Sequence, residues 1–139
     1  GRIEAGKPLP AAAVLLSPYL DLTHSGASIA ARAHRDPFVE PEGMPGTARA
    51  YLGEVDPKDP RASPLFGPVE GFPPTLVLVG SDECLFDDAH RFAARLPRAV
   101  FQEWVGMIHV WPVFAGQVEE GRWAHAQMGA FVHRELLQA

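Results

Sequence analysis

The sequence predicts an α/β fold of about three parallel strands flanked by helices. Three observations point to it. Residues 10–16 and 75–79 are short, almost uniformly apolar runs, and 100–105 is a third, mainly apolar one interrupted by Gln102-Glu103; together they read as strands covered on both faces. Helical, amphipathic stretches separate or follow them, so β and α alternate along the chain. The second and third runs end in polar, glycine-containing turns, Gly80-Ser81-Asp82 and Gly106-Met107-Ile108-His109. In open α/β sheets, sites gather at such C-terminal strand ends.

Each element has its own justification. Residues 9–16 read LPAAAVLL and are closed by Ser17-Pro18, the pattern of a buried strand. Residues 21–36 mix polar and small side chains and read as loop with a short helix, and Pro37 marks a break. Residues 47–52 read as helix. Residues 56–74 hold six prolines and form an extended connection that cannot be regular helix. Residues 75–79 are the second strand. Residues 87–96 form an amphipathic helix with Phe92 and Leu96 on one side. Asp87 and Asp88 suit its positive N-terminal end, and Pro97 stops it. Residues 100–105 are the third strand. Residues 118–137 form a long last helix, with Trp123, Met128, Phe131, Val132 and Leu136 as candidate core contacts.

Composition narrows the function. At 139 residues the chain is one domain's worth. A content of 47% hydrophobic and 21% charged residues argues against disorder. A net charge of −5 without a basic run argues against a nucleic-acid partner. No apolar stretch reaches the roughly 18 residues of a membrane span, and no signal-peptide pattern opens the chain. The single Cys84 excludes an intramolecular disulfide and fits a cytoplasmic location.

The chemistry centres on Asp82 and His109, each just past a predicted strand. A serine hydrolase needs a base for the nucleophile's proton and a carboxylate that fixes the base's tautomer. In the α/β-hydrolase layout these follow the serine in the order acid, then histidine. Adjacent parallel strands lie about 5 Å apart, so side chains from the two turns can meet. Glu83, Asp87 and Asp88 compete for the acid role. Glu83, as the neighbour of Asp82, is expected to point elsewhere, and Asp87 and Asp88 suit helix capping.

The nucleophile is missing. The serines are Ser17, Ser25, Ser28, Ser63 and Ser81. Gly26-Ala27-Ser28-Ile29-Ala30 approaches G-x-S-x-G but does not follow a strand, as the nucleophile elbow must. Ser81 reads as a turn residue and Cys84 as a buried structural thiol. His24 and His34 lie in loop-like sequence, and His90, His125 and His133 on predicted helices. No H-E-x-x-H or C-x-x-C spacing is present, so no metal is expected. Trp104 and Trp111 read as core residues.

Four phrases carry a family resemblance: LLSPYLDLT at 15–23, DPRASPLFG at 59–67, PPTLVLVGSDE at 73–83 and GMIHVW at 106–111. Together they resemble the C-terminal part of α/β-hydrolases of the hormone-sensitive-lipase-like esterase and lipase family. The resemblance implies that 1–139 is a single partial domain, the C-terminal portion of that fold without the N-terminal half of its sheet. It matches Asp82 to the triad acid and His109 to the triad base. The serine elbow and the oxyanion loop would lie upstream. The expected function is the C-terminal portion of a serine carboxylic-ester hydrolase, inactive alone, with no cofactor. An α/β-hydrolase-type peptidase or amidase fragment and a non-catalytic interaction module are the alternatives. The implied partners are a small-molecule ester and a second copy of the chain, at the edge of residues 10–16, at 100–105, or at both.

Overall fold

A computed structural model describes Gly6 and residues 8–138. Its strands are β1 (Ala13–Leu16), β2 (Thr75–Gly80) and β3 (Ala99–Trp104). Its helices are α1 (Ser28–Ala31), α2 (Met44–Leu52), α3 (Phe86–Arg95) and α4 (Glu119–Leu136). The strands form one parallel sheet in the order β1-β2-β3, with Ala13 opposite Thr75 and Thr75 opposite Ala99. The α/β architecture with three parallel strands therefore stands as predicted. β1 is shorter than the apolar run that announced it. Its first ladder bond runs from the Ala13 N–H to the Pro74 carbonyl, and Pro10, upstream, has no N–H to give.

Strand geometry divides the core in two. Side chains alternate across a strand, and all six residues of β2 are buried. Val77 and Val79 face one side, where they pack with Leu20, Leu65, Phe92 and Leu96. Leu76 and Leu78 face the other, against Trp111, Ala124 and Phe131. Thus α3 covers one face of the sheet and α4 the other. β1 and β3 are only partly covered: Val100 is 40% exposed.

α3 carries Asp87 and Asp88 in its first turn and Arg95 in its last, both favourable to the helix dipole. Neither aspartate caps it, because position Leu85 makes no side-chain cap bond. They serve a longer-range purpose. Asp87 accepts the Ser28 N–H at 2.9 Å, and Asp88 accepts the N–H groups of Leu20 and Asp21, both at 2.9 Å. At the other end, the Arg95 guanidinium donates to the carbonyls of Leu65 and Gly67 and fastens the proline-rich connection to the helix.

α4 buries Gly121, Ala124, Phe131 and Glu135, with Met128 and Val132 partly covered. Two residues expected in its core stripe lie off it: Trp123 is 54% exposed and Leu136 59%. The buried positions 121, 124, 131 and 135, with the partly covered 128, follow helical spacing, and 123 and 136 fall outside that row. Among the described residues, no helix is long and apolar enough to cross a membrane.

Candidate active site

The turn after β2 is built around one close approach. A Cβ on Gly80 would lie 2.0 Å from the Met107 carbonyl oxygen, so only glycine fits. That contact lets the turn after β3 lie directly on the end of β2. The Asp82 N–H donates to the Met107 carbonyl at 3.1 Å and the Ser81 N–H to the Trp104 carbonyl at 2.9 Å. The Gly106 N–H donates to Ser81 Oγ at 2.8 Å. Gly106 takes a φ of 74°, a left-handed conformation that glycine adopts freely. The chain then delivers His109 above the sheet.

Of the two neighbouring acids, Glu83 and not Asp82 meets the histidine. Glu83 Oε2 lies 3.0 Å from His109 Nδ1. Its other oxygen, Oε1, accepts the Gly80 N–H at 2.6 Å and the Ser17 hydroxyl at 2.7 Å. The expectation that Glu83 points elsewhere is therefore corrected. The reason is turn geometry: the Glu83 N–H bonds back to the Gly80 carbonyl at 3.2 Å, which folds residue 83 over the strand end. Residue 82 is left on the outer side of the turn. Asp82 pairs with Arg35 at 3.6 Å, its side chain 29% exposed. Residue order alone does not separate the two acids, because the choice rests on this fold-back of the turn onto Gly80.

A carboxylate only accepts, so a bond to Glu83 places the imidazole proton on Nδ1 and leaves Nε2 free. Glu83 is fully buried and the His109 side chain is 22% exposed. The free nitrogen can therefore meet a reacting group while the carboxylate stays dry. Beside His109 lies an open cavity of about 410 Å³, whose wall includes Tyr19, Phe38, Met44 and Leu85. Burial, with Asp88 and Asp21 adding, pushes the Tyr19 phenol up to about 12. That phenol bonds to His24 Nε2.

The serines are accounted for in other ways. Ser28 is buried, donates to the Cys84 carbonyl at 2.6 Å and accepts the Asp87 N–H at 3.0 Å. It is a tie between α1 and α3. Ser63 accepts the Leu22 N–H at 2.9 Å, and Ser25 donates to Asp21 at 2.5 Å. Cys84 is fully buried, and burial, with Asp36 and Glu83 adding, pushes its thiol up to about 11. It is a poor nucleophile there. Among the described residues, no group of three or more His, Cys, Asp or Glu is placed to hold a metal ion.

Beneath the loop that leaves β1 sits a buried acid pair. Asp21 and Asp88 have side chains 0% and 1% exposed, and Arg91 Nη2 bridges them at 3.1 and 3.2 Å. Burial alone raises an acid's pKa. For Asp21 the bonds from Ser25 and Thr23 outweigh burial and hold it at about 2, below the usual 3.8. For Asp88 burial wins, and its pKa is raised. The signs are opposite. A lowered carboxylate pKa stabilises the fold above the unfolded value, and that stability is lost as pH falls from 3.8 towards about 2. Asp88 works the other way. Asp21→Asn is thus expected to lower the melting temperature at pH 7 by several degrees, with the gap to wild type closing as pH approaches 2. A gap that stays constant with pH, followed by circular dichroism, would contradict this.

With this geometry in view, comparison with known proteins identifies the lineage. The model of a family described as having the α/β-hydrolase fold matches residues 2–113. An acetyl-hydrolase of Streptomyces hygroscopicus is 41% identical over 93% of this chain and 44% of its own. An esterase of Acinetobacter venetianus is 36% identical over 88% of this chain and 42% of its own. Among solved structures, an esterase of the bacterial hormone-sensitive lipase family superposes with a TM-score of 0.94 at 40% identity. That match covers 96% of this chain and 46% of the esterase. The chain thus spans under half the length of these relatives. It belongs to the α/β-hydrolase-fold family, where it corresponds to the C-terminal part of the hormone-sensitive-lipase-like esterases.

Proposed function

We propose that this chain supplies the acid and the base of a serine carboxylic-ester hydrolase, with residues 1–139 a single partial domain of that enzyme. The observation that carries the reading is the bond between Glu83 Oε2 and His109 Nδ1 at 3.0 Å, beside an open cavity. The relatives, which are named as an acetyl-hydrolase and an esterase, support an ester as the substrate class. In the proposed cycle, His109 Nε2 takes the proton of a serine hydroxyl as its oxygen attacks the ester carbonyl. Glu83 holds the ring and stabilises the imidazolium that forms. His109 then gives that proton to the departing alkoxide. The acyl-serine is cleaved by water, which His109 deprotonates in turn, releasing the carboxylate and restoring the serine.

The serine comes from a segment outside this chain, because each of the five serines here lacks the elbow. Asp82 is the alternative orienting acid, but its exposure and its pairing with Arg35 favour a surface role. The test is chemical. Incubated with a fluorophosphonate probe, the 139-residue chain should take up no stoichiometric label and should not turn over activated short-chain esters. Labelling of one of its own serines would refute the reading. The same reading includes self-association at the sheet edges, where Val100 is 40% exposed and Val105, just beyond β3, 85%. Exposed apolar edges recruit other chains. Light scattering at micromolar concentration should give a mass above that of one chain, and a clean monomer would end that part of it.

A further inference from the structure

Ser17 sits where the three functional segments meet. It follows β1 directly, is 4% exposed, and has a φ of 47°. A non-glycine residue in the left-handed region is costly, and such residues collect at functional sites. Its N–H donates to the Leu78 carbonyl at 2.9 Å and extends the ladder to β2. Its hydroxyl has two partners, both far away in sequence. It donates to Glu83 Oε1 at 2.7 Å and accepts the Val110 N–H at 3.0 Å. Val110 follows His109 directly and is itself left-handed, with a φ of 51°.

The direction of these bonds is fixed. An amide N–H can only donate, so the Val110 bond occupies an acceptor site on Ser17 Oγ. The hydroxyl proton is then free to point at Glu83. With the Gly80 N–H on the same oxygen, Oε1 is held by two donors, and the carboxylate can turn only Oε2 to the imidazole. One hydroxyl therefore fixes the acid's rotamer and the backbone that carries the base. It cannot serve as the nucleophile, because its proton is directed at Glu83 and not at the imidazole.

We propose that Ser17 is the positioning residue of the Glu83–His109 pair, setting the geometry in which His109 accepts a proton. This rests on the reading of that pair as acid and base. The test uses the natural polypeptide that carries this chain together with the serine-bearing segment. Ser17→Gly removes the hydroxyl while relieving the left-handed backbone, so it keeps the fold. Ser17→Ala removes the hydroxyl and leaves the strain. Both should lower kcat on a short-chain nitrophenyl ester, on the order of 10-fold to 100-fold, the cost of small misplacements of reacting groups. KM should stay near wild type. The Nδ1 proton of His109, seen as a downfield resonance by proton NMR, should shift or broaden in both. Ser17→Gly should melt close to wild type. A wild-type kcat in Ser17→Gly, alongside inactive Glu83→Gln, would overturn the role of Ser17 and leave the pair intact. Losses that appear only as reduced melting temperature, with kcat per folded molecule and the resonance unchanged, would overturn it too. Full activity in Glu83→Gln would remove the acid–base reading itself, and the role of Ser17 with it.

Discussion

Replacing Glu83 by glutamine in the full enzyme is expected to lower kcat by roughly four orders of magnitude, the loss seen when a triad acid is made neutral. The amide keeps the size of the side chain but not its chemistry. Glu83 Oε1 receives two donors and Oε2 a third, and a glutamine cannot accept all three with one oxygen. Either its NH2 group meets the Gly80 N–H and the Ser17 hydroxyl, or it meets His109 Nδ1. The second arrangement forces the imidazole proton to Nε2, the nitrogen that must accept the serine proton. Asp82→Asn is the contrasting variant. It removes a partly exposed pair with Arg35, worth at most about 1 kcal/mol, and turnover should stay near wild type. Steady-state kinetics of the two variants side by side checks the assignment. Loss of activity in Asp82→Asn with Glu83→Gln active would reverse it.

Gly80→Ala is expected to be the most damaging change of a single methyl group. Its Cβ would fall 2.0 Å from the Met107 oxygen, 2.5 Å from the Met107 carbonyl carbon and 3.2 Å from Glu83 Oε1. The first two are backbone atoms, which no rotamer change can remove. The turn carrying His109 must lift away from the strand, breaking the Asp82–Met107 bond. Overpacking of this kind costs about 3 kcal/mol or more, and in molecules that still fold the Glu83–His109 contact should be lost. Gly129→Ala is the control. Gly129 lies within α4 with open space around its Cβ position, so it should gain about 0.5–1 kcal/mol from helix propensity. Chemical denaturation of both variants tests the contrast, and equal stabilities would refute it.

Much of this architecture was legible because burial imposes strong patterns. β2 is covered on both faces, so no position in it can be polar without cost, and its apolar run marks it to within one residue. Pro97 and the acidic first turn marked α3 in the same way. The site was legible only in part. That an acid and His109 follow neighbouring strands could be read from strand, glycine and residue order. Which acid turns inward could not, because 82 and 83 are both acidic and the choice depends on how the turn folds back on Gly80. Asp87 and Asp88 were misjudged for a related reason. A first-turn aspartate suits a helix dipole locally, but these two accept N–H groups from the loop after β1 and from the start of α1, about 60 to 70 residues away. Ser17 gave no signal, since its partners lie 66 and 93 residues along the chain. Trp123 and Leu136 were assigned to the core by hydrophobicity alone, whereas the helical row through Ala124 and Phe131 excludes them.

The central claim is that His109, oriented by Glu83, serves a serine from outside this chain. A crystal structure of the full polypeptide trapped with a phosphonate ester tests it most directly. The account predicts phosphorus bonded to a serine absent from residues 1–139, with His109 Nε2 roughly 3 Å from that serine's oxygen. Glu83 should remain bonded to Nδ1. Phosphorus on a serine within residues 1–139, or a trapped serine paired with a different histidine, would contradict it.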